Sequence, residues 1–177
     1  MPRKLLFITL LIISWLAFAA VLSGAETLQE FKVKAGYLLN IPMFAEWSSL
    51  AAGQQSFKIC IIGETPLNEA LEAMKGRRIK NRPVAIVTIH EIAQADGCQV
   101  LFISGSERYR LQRLLAEAHR LGIMTVSDMR DFSNHGGMVA LLSVNNKITY
   151  DLNLVSARSA GISFSSQILK LANDVIN

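Results

Sequence analysis

The hydrophobic pattern in the middle of the chain predicts a strand, a helix and a second strand. Residues 98–103 form a short apolar run. Over residues 111–121 the apolar positions recur at intervals of three and four, which is the spacing of one helix face. Gly122 is expected to end that helix, and the apolar residues 123–126 predict the next strand. Because a strand that returns through a helix lies parallel to the first, this unit predicts an α/β fold.

Two more apolar runs predict strands earlier in the chain. Residues 57–62 are followed by a short helical pattern that ends at Gly76, and residues 84–89 form the next run. The strands predicted over residues 98–103 and 123–126 are apolar throughout, so both faces of the sheet are expected to be covered by helices. The sequence therefore predicts an α/β fold, a single-domain three-layer sandwich with a mostly parallel sheet and helices on both faces.

A helix is predicted at the start of this domain. Residues 27–39 show helical spacing behind a capping box that begins at Thr27. Pro42 is expected to end or kink the helix, and the aromatic residues Phe44 and Trp47 follow it. Those rings are expected either to pack on the core or to stay available to a partner.

The C-terminal third predicts an antiparallel hairpin and a last helix. Apolar and polar residues alternate over 147–154, after an apolar strand over 138–144 and a turn that contains two asparagines. This alternation gives the hairpin one polar face, so its last strand is expected at or near a sheet edge. Ser163 is expected to cap a final helix that buries Leu171 and Val175.

Residues 1–25 have the pattern of a secretory signal peptide. Two basic residues precede an uncharged apolar run over residues 5–22, and small residues stand before Glu26. The alternative is an uncleaved membrane anchor, because the run is about long enough to span a bilayer. Cleavage would leave an exported domain over residues 26–177.

The charge of the exported domain is nearly balanced. Loss of Arg3 and Lys4 from the 18 basic side chains leaves 16 against 14 acidic ones. This balance gives little support to nucleic-acid binding. The basic run over residues 75–82 is a candidate contact for an anionic partner or for phospholipid heads, and the alternative is a solvated connection between a helix and a strand.

Two cysteines in an exported domain suggest one disulfide, between Cys60 and Cys98. The bond requires that their two strands be neighbours, with Cα atoms within about 7 Å of each other. The strand order 2-1-3-4-5, which is common in open parallel sheets, places them side by side. The alternative is a pair of buried free thiols that act as small hydrophobic side chains.

Catalytic and metal-binding motifs do not stand out in the sequence. The histidines His90, His119 and His135 show no metal-ligand spacing, and the nucleophile and zinc motifs of known hydrolases are missing from the sequence. An enzyme, a metal and a cofactor are therefore not predicted.

The predicted strand ends bring polar side chains to one edge of the sheet. Open α/β sheets bind ligands beyond the carboxyl ends of their strands, so this edge is a candidate ligand cleft. The residues concerned are Glu64, Thr65, His90, Ser104, Ser106 and Asp128. Helix capping is the alternative role for the serines and the threonine.

Short motifs follow one another across nearly the whole of the mature chain. They are residues 34–40 with Phe44 and Glu46-Trp47, residues 59–63, Gly76 with 82–84, 98–104 with Ser106-Glu107, 125–128, 136–138, Asn153-Leu154, Ala157-Arg158, Ala160-Gly161, Ser165-Ser166 and Leu169. In this order and spacing the chain resembles the YfiR family of small periplasmic proteins.

The resemblance implies a regulatory role in the Gram-negative periplasm. Such proteins inhibit an inner-membrane diguanylate cyclase through its periplasmic sensor region, which lowers cyclic di-GMP and biofilm formation. The resemblance also implies that Cys60 and Cys98 are oxidised to a disulfide. The alternative function is a periplasmic small-molecule sensor that uses the strand-end cleft.

Four residues are candidate contacts for the membrane partner: Trp47, Asp151, Asn153 and Arg158. Arg158 matches the family pattern, and its guanidinium is suited to an acidic surface. Its alternative role is to tie the final helix to the domain. A homodimer is also expected, because homodimers are the commonest protein assembly.

Overall fold

The computed structural model describes residues 29–48, 54–74, 76–145 and 147–177. The predicted signal peptide and the predicted capping box at Thr27 lie outside these ranges. The helices are α1 over 29–40, α2 Leu67–Glu72, α3 Leu111–Arg120, α4 Leu154–Ser159 and α5 Ser166–Leu169. The strands are β1 Ala45–Trp47, β2 Phe57–Ile62, β3 Arg78–Ile79, β4 Arg82–Ile89, β5 Val100–Ile103, β6 Met124–Ser127, β7 Val139–Val144, β8 Lys147–Asn153, β9 Ile162–Phe164 and β10 Asp174–Ile176. None of the helices in the described ranges is long and apolar enough to cross a membrane.

The main sheet has eight strands in the order β10-β8-β7-β6-β5-β2-β4-β3. Its five central strands, from β7 to β4, are parallel. Numbered along the chain, these five follow the order 2-1-3-4-5, as predicted. β7 and β8 form the predicted antiparallel hairpin. A separate small sheet pairs β1 with β9.

Hydrophobic cores lie on both faces of the main sheet. Consecutive residues of β2 alternate between them: Ile59 and Ile61 face one core, while Cys60 and Ile62 face the other. Helices α1, α2, α4 and α5 cover the first face, and α3 covers the second. The three-layer α/β sandwich is therefore confirmed.

The disulfide joins β2 to the residue pair that precedes β5. The Cα atoms of Cys60 and Cys98 lie 6.0 Å apart, across strands that pair in parallel. Both side chains are buried in the second core. The bond therefore fastens two central strands together from within.

The prediction of a final helix from Ser163 to Val175 is wrong. Ser163 lies in β9, opposite Glu46 of β1. Only the four residues Ser166–Leu169 are helical, and β10 then pairs in parallel with β8. Pairing with distant strands overrides the local helical spacing, because it satisfies the backbone hydrogen bonds of these residues.

The predicted last strand also ends earlier than its alternation suggests. Asn153 closes β8, and its side-chain oxygen accepts a hydrogen bond from the Ser156 N–H at 2.9 Å. This N-cap starts the short helix α4 at Leu154. β8 lies one strand from the edge of the sheet, since β10 covers its outer side.

Candidate functional site

An apolar groove of about 440 Å³ lies between the end of α1, strand β8 and helix α5. We call it the docking groove. Its lining residues are Tyr37, Asn40, Ile41, Phe44, Tyr150, Gln167, Ile168 and Leu171. The groove forms because Pro42 ends α1 in a short 3-10 turn over Ile41–Phe44, which then contacts α5.

Two tyrosines form the floor of the docking groove. The rings of Tyr37 and Tyr150 meet edge to face, with centroids 5.5 Å apart. The Tyr150 hydroxyl donates to the Ile168 carbonyl at 2.8 Å, and the Tyr37 hydroxyl donates to the Ile148 carbonyl at 3.2 Å. Burial raises the pKa of Tyr150. With both hydroxyls bonded to the backbone, the floor offers ring surface to an apolar group.

The rim of the groove carries large apolar side chains that solvent reaches. Leu171 is 74% exposed, Phe44 is 39% exposed, and the neighbouring Met43 is 50% exposed. Large apolar side chains that surround one groove on a protein surface are typical of a protein-binding site. A partner with an apolar anchor residue fits this arrangement.

The structure places the four predicted partner contacts in different environments. Trp47 is half-buried, with its ring 5.7 Å from that of Phe57. Asn153 is buried as the cap of α4 and also donates to the Ser133 carbonyl. Asp151 accepts from the Asn173 side chain at 2.8 Å. Arg158 is exposed on α4 and has no side-chain partner among the described residues, so it is free to meet another protein.

The residues of the predicted ligand cleft bond mainly to one another. Ser106 Oγ accepts from the Glu64 N–H at 3.0 Å, and Ser104 Oγ donates to the Glu64 carbonyl. Ser104 also caps the turn that follows β5, and Thr65 accepts from the Leu67 N–H at 3.2 Å. The turn after β2 thus packs directly on the turn after β5. Ligand binding at these residues stays a prediction.

Two ion-pair networks cover the rest of this sheet edge. Lys34 of α1 is buried, with its ammonium 2.7 Å from Glu30 and 3.0 Å from Asp128. Burial alone lowers the pKa of Lys34, but the two carboxylates outweigh it, so the pKa is raised. This pairing fastens α1 to the end of β6.

The second network holds the end of β4 against α3. The Arg110 guanidinium donates to the His90 carbonyl at 2.9 Å. It also forms ion pairs with Glu107, which is buried, and with Glu91 at 3.3 Å. The predicted cleft residue His90 therefore contributes its backbone here, while its side chain is exposed.

His119 of α3 is expected to make the stability of the fold depend on acidity. Its Nε2 is buried and has no hydrogen-bond partner within the described ranges. Burial lowers the pKa of His119, and a hydrogen bond with the Gly136 backbone offsets only part of this effect. Below the ordinary histidine pKa of about 6.5 the unfolded chain therefore binds more protons than the folded one. The contribution of His119 to the free energy of unfolding is fully present above that pH, and it is lost as the pH falls toward the pKa of His119 in the folded state.

We expect His119→Gln to flatten the fall in unfolding free energy between about pH 7 and pH 5. Urea unfolding at several pH values measures this slope. His135→Gln is a matched control, because His135 is exposed. An unchanged slope in the His119 variant would show that other groups cause the acid sensitivity.

The sequence does not predict most of the docking groove. The aromatic exit at Phe44 is recognised from Pro42 and its neighbours, but the pattern assigns Leu171 to the buried side of a helix that does not form. Tyr37 and Tyr150 belong to elements more than a hundred residues apart, and each fits the pattern of its own element. Only their contact in the folded chain shows that they share a surface.

The sequence model of the YfiR/HmsC-like family matches residues 31–173. No curated protein matches the sequence of this chain. A conserved domain protein from Vibrio cholerae O1 biovar El Tor has a similar fold, with a TM-score of 0.53 at 11% identity over 67% of this chain and 54% of that one. The ABC domain from Streptococcus pneumoniae, solved in complex with L-Trp, has a TM-score of 0.51 at 8% identity over 71% of this chain and 57% of that one.

The two solved structures show a shared fold alone, and the chain spans little more than half the length of each. The family match is of another kind, because it runs from residue 31 in the first turn of α1 to the residue before β10 and includes both cysteines and the docking groove. The chain therefore belongs to the YfiR/HmsC-like family, whose members are periplasmic regulators of diguanylate cyclase signalling and are not known as enzymes.

Proposed function

We propose that this protein binds the periplasmic sensor region of an inner-membrane diguanylate cyclase and inhibits the enzyme. Cyclic di-GMP and biofilm formation would fall as a result. The family match over residues 31–173 carries this proposal. The docking groove supports it, since a regulator of this kind needs a surface for a protein partner and no catalytic group.

The mechanism requires only that the protein prefer one conformation of the cyclase. A ligand shifts a two-state equilibrium by the ratio of its affinities for the two states. A change from about 1:99 to 99:1 needs roughly 5.5 kcal/mol of differential affinity. A few well-buried apolar contacts are sufficient for such a difference, because one buried anchor residue contributes about 2 kcal/mol or more.

The docking groove is our candidate for this contact. Its floor of bonded tyrosines accepts an apolar anchor of the sensor region, and Leu171 and Phe44 close over it from the rim. Arg158 and the half-buried Trp47 are secondary candidates. Arg158 would pair with a carboxylate of the sensor region, since the part of the chain that the structure describes offers it none.

Two experiments test the regulatory role. The mature domain, residues 26–177, is immobilised and incubated with solubilised inner membranes, and retained proteins are identified by mass spectrometry. We expect a protein with a periplasmic sensor and a cytoplasmic cyclase domain. In parallel, deletion of the gene should raise cellular cyclic di-GMP. An unchanged level in the deletion strain would contradict the proposal.

The variant Leu171→Asp tests the docking groove. A carboxylate at this position would face an apolar anchor, so we expect affinity for the captured cyclase to fall at least about tenfold, a change of about 1.4 kcal/mol. Cyclic di-GMP should rise toward the level of the deletion strain. Because Leu171 is 74% exposed, the melting temperature should change little.

The control for this variant is Leu121→Asp. Leu121 is also exposed, at 38%, but it follows α3 on the other face of the sheet. The variant Leu121→Asp should bind the cyclase with the same affinity as the natural protein. Equal affinity of both variants for the cyclase would place the contact elsewhere, with Arg158→Glu as the next variant to measure.

A further inference from the structure

At one end of the main sheet the short strand β3 covers only the start of its neighbour β4. β3 pairs with β4 only at Arg82 and Pro83. Beyond them β4 continues as Val84-Ala-Ile-Val-Thr88, with no charged residue and no proline. The side chains of this stretch are half-buried or exposed. Natural proteins normally protect such an edge, because its unpaired backbone groups are a template for another strand.

The hydrogen bonds of β2 show which backbone groups of β4 are unpaired. Backbone groups of consecutive strand residues point to opposite neighbours. The Lys58 and Ile62 carbonyls accept from the Gln99 and Ser104 N–H groups, on the side of β5. Phe57, Ile59 and Ile61 alternate with these residues, so their backbone N–H and C=O groups point to β4.

The register then assigns the outer groups of β4. Ile59 lies opposite Ile86, so residues 85 and 87 bond to β2, while Val84, Ile86 and Thr88 point outward. The Val84 N–H confirms this direction, because it donates to the Arg77 carbonyl at 3.0 Å. No described residue bonds to the outward N–H and C=O groups of Ile86 and Thr88. Since the Val84 N–H is already bonded, we call residues 85–88 the free edge.

A cavity of about 380 Å³ runs beside the free edge. Val84 and Ile86 form one wall, and the other is formed by Leu39 of α1, Leu71 and Glu72 of α2, and Met74, which follows α2. An extended segment that paired with the free edge would direct every second side chain to this face. An apolar side chain of that segment would contact Val84, Ile86 and Leu71 in this cavity.

The amino end of the free edge is basic. Arg77 and Arg78 are exposed, and their guanidinium groups contact an asparagine side chain and a backbone carbonyl rather than a carboxylate. Arg82 Nη1 is buried and has no hydrogen-bond partner among the described residues. None of these three arginines forms an ion pair within the described ranges. Because these guanidinium groups meet no carboxylate of the described residues, an acidic counterpart is expected from a different protein.

We propose that the free edge binds an extended segment of a partner protein by strand addition. The segment has apolar residues at alternate positions and acidic residues at the end that lies beside Arg78 and Arg82. Backbone hydrogen bonds to Ile86 and Thr88 hold it, and one of its side chains fills the cavity beside α2. The cavity beside the free edge shares no lining residue with the docking groove, and the test of this proposal requires no cyclase.

The probes are dye-labelled heptapeptides of alternating valine and threonine that carry two glutamates at one end. Glutamates at the carboxyl end match antiparallel addition, and glutamates at the amino end match parallel addition. Fluorescence anisotropy measures their binding to the mature protein. We expect one of the two to bind at least about tenfold more tightly than the same peptide with lysines in place of glutamates. Equal binding of the glutamate and lysine peptides would overturn the proposal.

Thr88→Pro tests the backbone contact. Proline removes an N–H that points away from β2, so the sheet should tolerate it, as edge strands do. We expect peptide affinity to fall about tenfold relative to Thr88→Ala, which keeps the N–H. A second variant, Arg78→Glu with Arg82→Glu, should lose the glutamate peptide and gain the lysine peptide.

The solution mass of each protein is measured beside the binding assay. If Thr88→Pro leaves peptide affinity unchanged, strand addition is excluded. If Thr88→Pro instead converts a dimer into a monomer, the free edge binds a second copy of this chain. The proposal of an acidic partner segment would then be wrong.

Discussion

Replacement of both cysteines, Cys60→Ala with Cys98→Ala, is expected to lower the free energy of unfolding by up to about 4 kcal/mol. The bond closes a loop whose ends are 38 residues apart, and it therefore restricts the unfolded chain strongly. Without it the unfolded state gains conformational entropy while the sheet keeps its pairing. For a domain of this size the melting temperature should fall by roughly 2–4 °C for each kcal/mol.

Urea unfolding of the natural protein with and without a thiol reductant provides the control. Reductant should lower the unfolding free energy of the natural protein to about that of the double variant and should leave the variant unchanged. A loss below about 1 kcal/mol in both measurements would mean that the loop is already restricted in the unfolded state. The same variant then shows whether regulation needs the bond, since cyclic di-GMP is measured in the same strains.

The central sheet is predictable from sequence because local and long-range signals agree there. The strand around Leu101 is apolar at every position and the strand around Cys60 at every position except Lys58, as a strand that is covered on both faces requires. The helix α3 buries Leu114 and Ala118 at the spacing that the sequence predicts. The strand order also follows, because right-handed crossovers leave few arrangements.

The prediction for the C-terminal segment is wrong because local and long-range signals disagree there. Its apolar residues recur at helical spacing, but Ser163 pairs with Glu46 and Val175 pairs with Leu152. These partners are far apart in the sequence, and no local signal indicates them. Short segments with weak propensity take the conformation that tertiary pairing offers.

Some residues of the candidate site can be predicted from the sequence, but the surfaces that they form cannot. Phe44 is visible as an aromatic residue behind a helix-ending proline, and Arg158 is visible through its motif. The groove itself requires that α1, β8 and α5 meet, and the structure alone provides this. The free edge likewise depends on how few residues β3 covers, which the basic run around Arg78 does not reveal.

Gly137→Ala is expected to destabilise the protein by about 3 kcal/mol. A Cβ atom at this position would overlap the ring of Phe132, which is fully buried in the second core. The two residues are also held together by a hydrogen bond of 2.9 Å from the Gly137 N–H to the Phe132 carbonyl. Neither the ring nor the backbone is free to move, so the methyl group must displace packed side chains. Thermal and urea unfolding measure the loss.

The neighbouring Gly136 separates steric overlap from backbone strain. Its φ is +96°, but an added Cβ would have only Leu115 Cδ1 near it, at 3.9 Å. Gly136→Ala should therefore cost only about 1–2 kcal/mol, through its backbone conformation. If overlap with the ring is the cause at Gly137, a smaller side chain in Phe132→Leu should recover at least about 1 kcal/mol in the double variant. Strictly additive losses would instead show that Gly137 is required for its own backbone, and the close approach to Phe132 would not be what selects glycine there.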